Sequence, residues 1–169
     1  MIYVDFDGVI LDTEDLLFKE WRKNKDRHLL SEKEKIKYIQ NSNWKYIINN
    51  SETINDSIYY LNQMDPNNSF ILTKIHSYCN EGLAKLEWAK RNNIKQKIIL
   101  VPYYKNKCDI VSAKDNILID DCLKNLDEWV LNDGIPAFFD INDDNIDSWD
   151  KPNINGYQKV LSLSSFVNK

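Results

Sequence analysis

Ile2-Tyr3-Val4-Asp5-Phe6-Asp7-Gly8-Val9 opens the chain, and its reading decides the fold. An apolar run ends in two aspartates spaced two apart and a turn glycine. The pattern recurs twice: Phe70-Ile71-Leu72 ends in Thr73, and Ile117-Leu118-Ile119 ends in Asp120-Asp121. Short apolar runs that each close on reactive side chains read as parallel strands whose C-terminal ends converge. That convergence is where open α/β sheets bind ligands.

The residue types gathered there suit Mg²⁺-assisted chemistry on a phosphate. Residues two apart on an extended chain face the same way, so Asp5 and Asp7 can share one pocket. One can attack phosphorus while the other handles the proton of the leaving oxygen. Gly8 allows a sharp turn and a close approach of backbone to ligand. Asp120 and Asp121 add two carboxylates that repel the first pair unless a cation neutralises them. Thr73 can donate to a phosphoryl oxygen, and Lys107 can supply positive charge to a phosphoryl-transfer transition state. Singly, each piece has a plainer reading. Asp-Gly is an ordinary turn, an aspartate before Cys122 an N-cap, Thr73 a strand end with a local bond, and Lys107 a solvated lysine beside Lys105. Four such pieces in one order at strand ends favour function.

In that order, DFDGV, Thr73, Lys107 and IDD resemble the four motifs of the haloacid dehalogenase-like (HAD) phosphatases. The stretch LIDDCLKNLDEW is similar, more narrowly, to the 5'(3')-deoxyribonucleotidase branch. The resemblance implies Asp5 as nucleophile and Asp7 as general acid and base. It also implies a Mg²⁺ ion held by Asp5, the Asp7 backbone carbonyl and Asp121, with Asp120 beside it orienting water or Lys107. An aspartate at Asp7 resembles the phosphatases rather than the dehalogenases. Lys105 and Lys114 remain alternatives to Lys107. The implied substrate is a small phosphomonoester, a nucleoside monophosphate in the narrower reading. A sugar phosphate, or a phosphate-binding regulator without turnover, are the competing readings.

Composition fits one globular domain: 169 residues, 43% hydrophobic, net charge −4. That charge argues against binding a nucleic-acid polymer. No apolar run reaches the roughly 20 residues that span a bilayer. A reactive residue at position 5 leaves no room for a cleaved leader, so the expectation is a cytoplasmic protein, monomer or homodimer. Cys79, Cys108 and Cys122 are odd in number and lack metal-type spacing, which reads as reduced thiols. His28 and His76 are the two histidines, too few for a zinc site; His76, close to Thr73, reads as an exposed loop residue, with reach into the site as the alternative.

The expected architecture is a three-layer α/β core with a mainly parallel sheet (residues 1–13 and 52–169) and a small helical cap inserted after the first strand (residues 14–51). Glu14–Leu30 reads as helix, and Ser31-Glu32-Lys33-Glu34 as a capping box. Ile54, Ile58 and Leu61 follow helical spacing up to the Asp65-Pro66-Asn67-Asn68 break. Leu83, Leu86 and Lys90 mark one side of a further helix, and Leu123, Leu126 and Val130 the stripe of another ending near Gly134. Strands are expected at Ile98–Val101, Pro136–Phe139 and Tyr157–Leu161, then a short C-terminal helix. Phe18, Trp21, Trp44 and Tyr46 are the cap aromatics that can stack on a base or sugar, or else form the cap's own core.

Overall fold

A computed structural model of the chain describes residues 1–23, 31–140 and 156–167. Among them, six strands form one sheet: β1 (Ile2–Val4), β2 (Ser69–Ile75), β3 (Lys97–Pro102), β4 (Ile117–Asp120), β5 (Ile135–Phe139) and β6 (Gln158–Val160). The order is β3-β2-β1-β4-β5-β6, and every pairing is parallel. The chain steps outward from β1 through β2 to β3, then crosses back to β4 on the far side of β1. The reversal between β1 and β4 opens a crevice at the strand C-termini.

Alternation along the strands splits the core into two layers. Ile2, Val4, Ile71 and Ile119 face one cluster; Tyr3, Leu72 and Leu118 face the other. Four helices lie between β1 and β2 in sequence: α1 (Thr13–Lys23), α2 (Glu32–Asn41), α3 (Trp44–Asn50) and α4 (Ser57–Gln63). With α5 (Leu83–Arg91) they cover the first face through Leu17, Ile39, Ile47, Leu61 and Trp88. The second face is covered by α6 (Leu123–Val130), through Leu126 and Trp129. The three-layer α/β architecture is therefore the one expected.

Local signals explain several boundaries. Ser31 and Glu34 close a reciprocal capping box at the start of α2, Ser31 N–H donating to Glu34 Oε2 at 2.8 Å. The helix expected over Glu14–Leu30 starts at Thr13 and is described to Lys23; residues 24–30, His28 included, lie outside the described residues. So do residues 141–155 of the polar stretch before β6. The expected C-terminal helix is a 3₁₀ turn, Leu163–Phe166.

Two helical stripes differ from expectation. On α5, Leu83 and Leu86 are 51% and 40% exposed, and the buried face is Ala84, Lys85, Trp88 and Ala89. Trp88 packs edge-on against Phe6 with ring centroids 5.2 Å apart, and small alanines let the helix approach the sheet. Lys85 can join that face because carboxylates meet its amine, as described below. On α6, Val130 is exposed and Trp129 is buried instead. Its indole N–H donates to the Asn116 carbonyl at 2.9 Å, and its ring meets Tyr3 edge-on. Gly134 makes this possible, since a Cβ there would fall 2.2 Å from the indole.

Candidate active site

Register brings the reactive residues together. Val4 pairs with Ile71 on one side and Ile119 on the other, so Asp5 and Asp120 leave adjacent strands side by side. Asp5 N–H donates to the Ile119 carbonyl at 2.9 Å, which holds the nucleophile candidate at the strand end. Oxygens of Asp5, Asp120 and Asp121 lie within 4.8 Å of one another.

Lys107 enters from the turn after β3 and is buried. Its Nζ lies 2.8 Å from Asp5 Oδ1 and 2.6 Å from Asp120 Oδ2. Burial alone would lower the affinity of this amine for its proton, but the two carboxylates outweigh that and keep it charged. Lys105 and Lys114 are both exposed, so of the three lysines it is Lys107 that meets Asp5. Asp120 has no free oxygen to spare: Oδ1 accepts from Cys122 N–H at 2.9 Å, and Asn125 Nδ2 reaches both oxygens at 3.2 and 3.0 Å. Its carboxylate is thus held at both oxygens, by the turn leading into α6 and by Lys107, while an oxygen of it stays within the carboxylate group shared with Asp5 and Asp121.

Asp121 is the complement. It makes no side-chain hydrogen bond among the described residues, and burial with Asp5, Asp120, Glu14 and Asp7 nearby pushes its pKa up to about 8. Asp5 is pushed up to about 7, chiefly by burial, with Lys107 opposing and Asp120 and Asp7 adding to the rise. Gly8, at φ +72°, makes the space: a Cβ there would lie 1.9 Å from Asp121 Oδ2. The Gly8 N–H is committed to the Leu11 carbonyl at 2.8 Å, so this glycine contributes room and a turn rather than a phosphate-binding amide. A crowded set of hard carboxylate oxygens with a deficit of positive charge fits Mg²⁺.

Asp7 belongs to a second cluster. Its Oδ1 accepts from the Thr13 hydroxyl at 2.7 Å, and its Oδ2 from Lys85 at 2.5 Å. Thr73 Oγ1 stands 3.5 Å from Asp7 Oδ2 and 2.9 Å from Lys85 Nζ, buried behind the aspartate. Lys85 also reaches Glu81 Oε1 at 2.9 Å; both side chains are buried. As at Lys107, the carboxylates outweigh the burial that would discharge the amine. Neither Lys85 nor Glu81 was singled out from sequence. Their spacing of four on a helix reads as a surface ion pair; the signal was that Lys85 sits among Ala84, Trp88 and Ala89.

Above the two clusters lies a cavity of about 240 Å³. Its walls are Asp5, Asp7, Thr13, Glu14, Glu81 and Asp121 on the reactive side, Leu17, Phe18, Ile39 and Trp44 from the inserted helices, and Lys74, His76 and Cys122. Of the four cap aromatics, Phe18 and Trp44 reach it. Trp44 is almost fully buried, with its indole N–H on the Ile39 carbonyl at 2.8 Å. Trp21 packs on Tyr38, and Tyr46 is 57% exposed; neither lines the cavity. His76 is not a free loop histidine: it is half-buried, stacks on Tyr103, and donates its backbone N–H to Glu81 at 2.7 Å. All three cysteines are free, and no described helix is long and apolar enough to cross a membrane.

No family model matches this chain, and no match is found among curated protein sequences. Solved structures do match. A D,D-heptose 1,7-bisphosphate phosphatase from Burkholderia thailandensis superposes with a TM-score of 0.54 at 12% identity, over 98% of this chain and 94% of its own. A haloacid dehalogenase-like family hydrolase from Streptococcus pneumoniae gives 0.55 at 15% identity, over 82% and 83%. The chain therefore shares the three-layer fold of haloacid dehalogenase-like hydrolases.

Proposed function

We propose that the chain is a Mg²⁺-dependent phosphomonoester hydrolase of the HAD superfamily that works through an aspartyl-phosphate on Asp5. The observation that carries this is the meeting of Asp5, Asp120, Asp121 and Lys107 at the ends of adjacent central strands. The fold shared with two hydrolases supports it.

Asp5 attacks phosphorus, the bond to the leaving oxygen breaks, and Asp7 gives that oxygen its proton. Water then attacks the same phosphorus, losing its proton to Asp7 as the bond to Asp5 breaks; phosphate leaves and both aspartates are restored. Lys107 steadies Asp5 and faces the developing phosphoryl charge. Asp5, Asp121 and the Asp7 carbonyl would hold Mg²⁺, which when bound supplies positive charge to the phosphoryl oxygens. The segment 14–51 is the cap, which excludes water and reads the leaving group.

The substrate we favour is a deoxynucleoside monophosphate, supported by the similarity of LIDDCLKNLDEW to the nucleotidase branch and by Phe18 on the cavity wall. The cavity, about 240 Å³, is small beside the roughly 300–1,000 Å³ of typical ligand sites and favours a compact sugar phosphate as the second reading. Purified protein with Mg²⁺ should release phosphate from a panel of nucleoside monophosphates and sugar phosphates. No release from any ester in the panel would overturn the phosphatase reading; release from sugar phosphates alone would overturn the nucleotidase one.

A further inference from the structure

The phosphate chemistry gives Lys85 no task, yet it is completely buried at the site. Its amine, with three N–H donors, has four acceptors within hydrogen-bond distance: Asp7 Oδ2 at 2.5 Å, Glu81 Oε1 at 2.9 Å, Thr73 Oγ1 at 2.9 Å and the Lys74 carbonyl at 3.1 Å. The rings of Phe6 and Trp44 flank it at 5.3 and 5.6 Å. Glu81 is held in turn by the His76 N–H. Lys85 lies behind Asp7, not on the cavity wall, so it acts on a substrate only through the partners that do line it, Asp7 and Glu81.

Packing of α5 does not account for this arrangement. Burying an ammonium costs several kcal/mol before its partners are counted, and an apolar side chain between Phe6 and Trp44 would fill the same space. A lysine that only needed a counter-charge has one in Glu81, four residues back. The amine also meets, at the shorter distance, the carboxyl to which the proposed mechanism gives the protons.

We infer that Lys85 is the positioning residue of Asp7, fixing one carboxyl oxygen while the Thr13 hydroxyl fixes the other, and so setting the direction in which Asp7 gives and takes its proton. The inference rests on the phosphatase reading above. It makes Glu81 the group that holds Lys85 in place, and α5 the element through which Asp7 is aimed.

Leaving-group chemistry separates aim from structure. p-Nitrophenolate departs without a proton, whereas the alkoxide of glycerol phosphate needs one from Asp7. Lys85→Met leaves Glu81 buried without its partner, so Lys85→Met/Glu81→Gln, which removes both charges, is made alongside it and thermal melting is followed for both. In the double variant the first-turnover rate on glycerol phosphate should fall by roughly 100-fold, the low end of what a positioned general acid contributes. The first-turnover burst of p-nitrophenolate should stay close to that of the unmodified protein, followed by slow steady-state turnover because Asp7 also activates the water. Equal loss of first-turnover rate on both esters, or no loss on either, would overturn the assignment. An unmodified protein that releases phosphate neither from these two esters nor from any in the panel above would overturn the phosphatase reading itself, and the inference with it.

Discussion

Two lysine-centred clusters stand at the C-terminal edge of the sheet, built alike and readable to different degrees. In one, Lys107 bridges Asp5 and Asp120; in the other, Lys85 bridges Asp7 and Glu81. Both amines are buried, and both are kept charged by a pair of carboxylates. They differ in what surrounds them. The Lys107 cluster adjoins Asp121, a carboxylate without a hydrogen-bond partner among the described residues, and so offers a place for a cation. The Lys85 cluster is closed by Thr13, Thr73 and the Lys74 carbonyl, and offers none. In the mechanism proposed above, the first makes and breaks a bond to phosphorus and the second directs a proton.

The largest expected effect breaks the two clusters apart. Asp5→Asn keeps the shape and removes the attacking charge, so turnover should fall by at least about 10³-fold and no phosphoenzyme should form. Asp7→Asn should still be phosphorylated by an activated ester and then retain the phosphate, because the water lacks its base. Intact-mass measurement after mixing with p-nitrophenyl phosphate distinguishes the two. A phosphoenzyme on Asp5→Asn would end the covalent mechanism.

Next in size is the lysine of the first cluster. Lys107→Met removes a preorganised charge beside Asp5, a change of the kind that costs roughly 10²–10³ in rate, whereas Lys105→Ala and Lys114→Ala should leave kcat unchanged. Steady-state kinetics on one phosphomonoester checks all three. If Lys105→Ala or Lys114→Ala lost as much, the ion pairs seen at Lys107 would not be the ones that matter.

The contrast also marks what could be read from the sequence. Strand-end carboxylates carry their context with them: an apolar run before Asp5 and another before Asp120 announce a parallel sheet, and adjacency in register does the rest. Lys107 was within reach of the same reasoning because it precedes β4. Lys85 was not, because a lysine on a helix is normally solvated. Its burial depends on Trp88 and the two alanines turning that face toward Phe6, a tertiary choice that overrode the apolar side marked by Leu83 and Leu86. Gly8 was legible as a turn, but that it makes room for Asp121 could only come from three dimensions. Of the inserted helices, α1, α2 and α4 were legible, while α3 was not set apart; which of their aromatics reach the cavity was not legible either, since Trp21 and Phe18 share α1 and differ in what they meet.

A smaller effect sharpens the first cluster through pH. In protein freed of divalent cations, Asp5 and Asp121 have pKa values raised to about 7 and about 8, above the roughly 4 of an unfolded aspartate. The folded state then holds protons that the unfolded state has lost. The stability these groups contribute is complete below about pH 4 and disappears as pH rises through 7 and 8. Melting in chelator should therefore show a lower midpoint at pH 8.5 than at pH 6, as approximate test conditions bracketing those values. Asp121→Asn should flatten this difference, and Mg²⁺ should raise the melting point of the unmodified protein but not of Asp121→Asn. A midpoint in chelator that rose between those pH values would contradict the crowding of carboxylates described here.

The smallest effect concerns the cavity that both clusters face, and Phe18 is the side chain to test. Trp44 shares the wall, but its burial and its bond to the Ile39 carbonyl mean that Trp44→Ala would cost about 3–5 kcal/mol of stability and confuse the reading. Phe18 is only half-buried and can be shortened with less disturbance. If a base lies on its ring, Phe18→Ala loses a stacking contact worth about 1–3 kcal/mol, so kcat/KM for a deoxynucleoside monophosphate should drop by at least about fivefold. Glycerol phosphate has no ring to stack, and its kcat/KM should hold. Equal losses on the two esters would mean that Phe18 shapes the cavity without recognising a base, and would move the substrate to the compact sugar phosphates that the cavity volume favours.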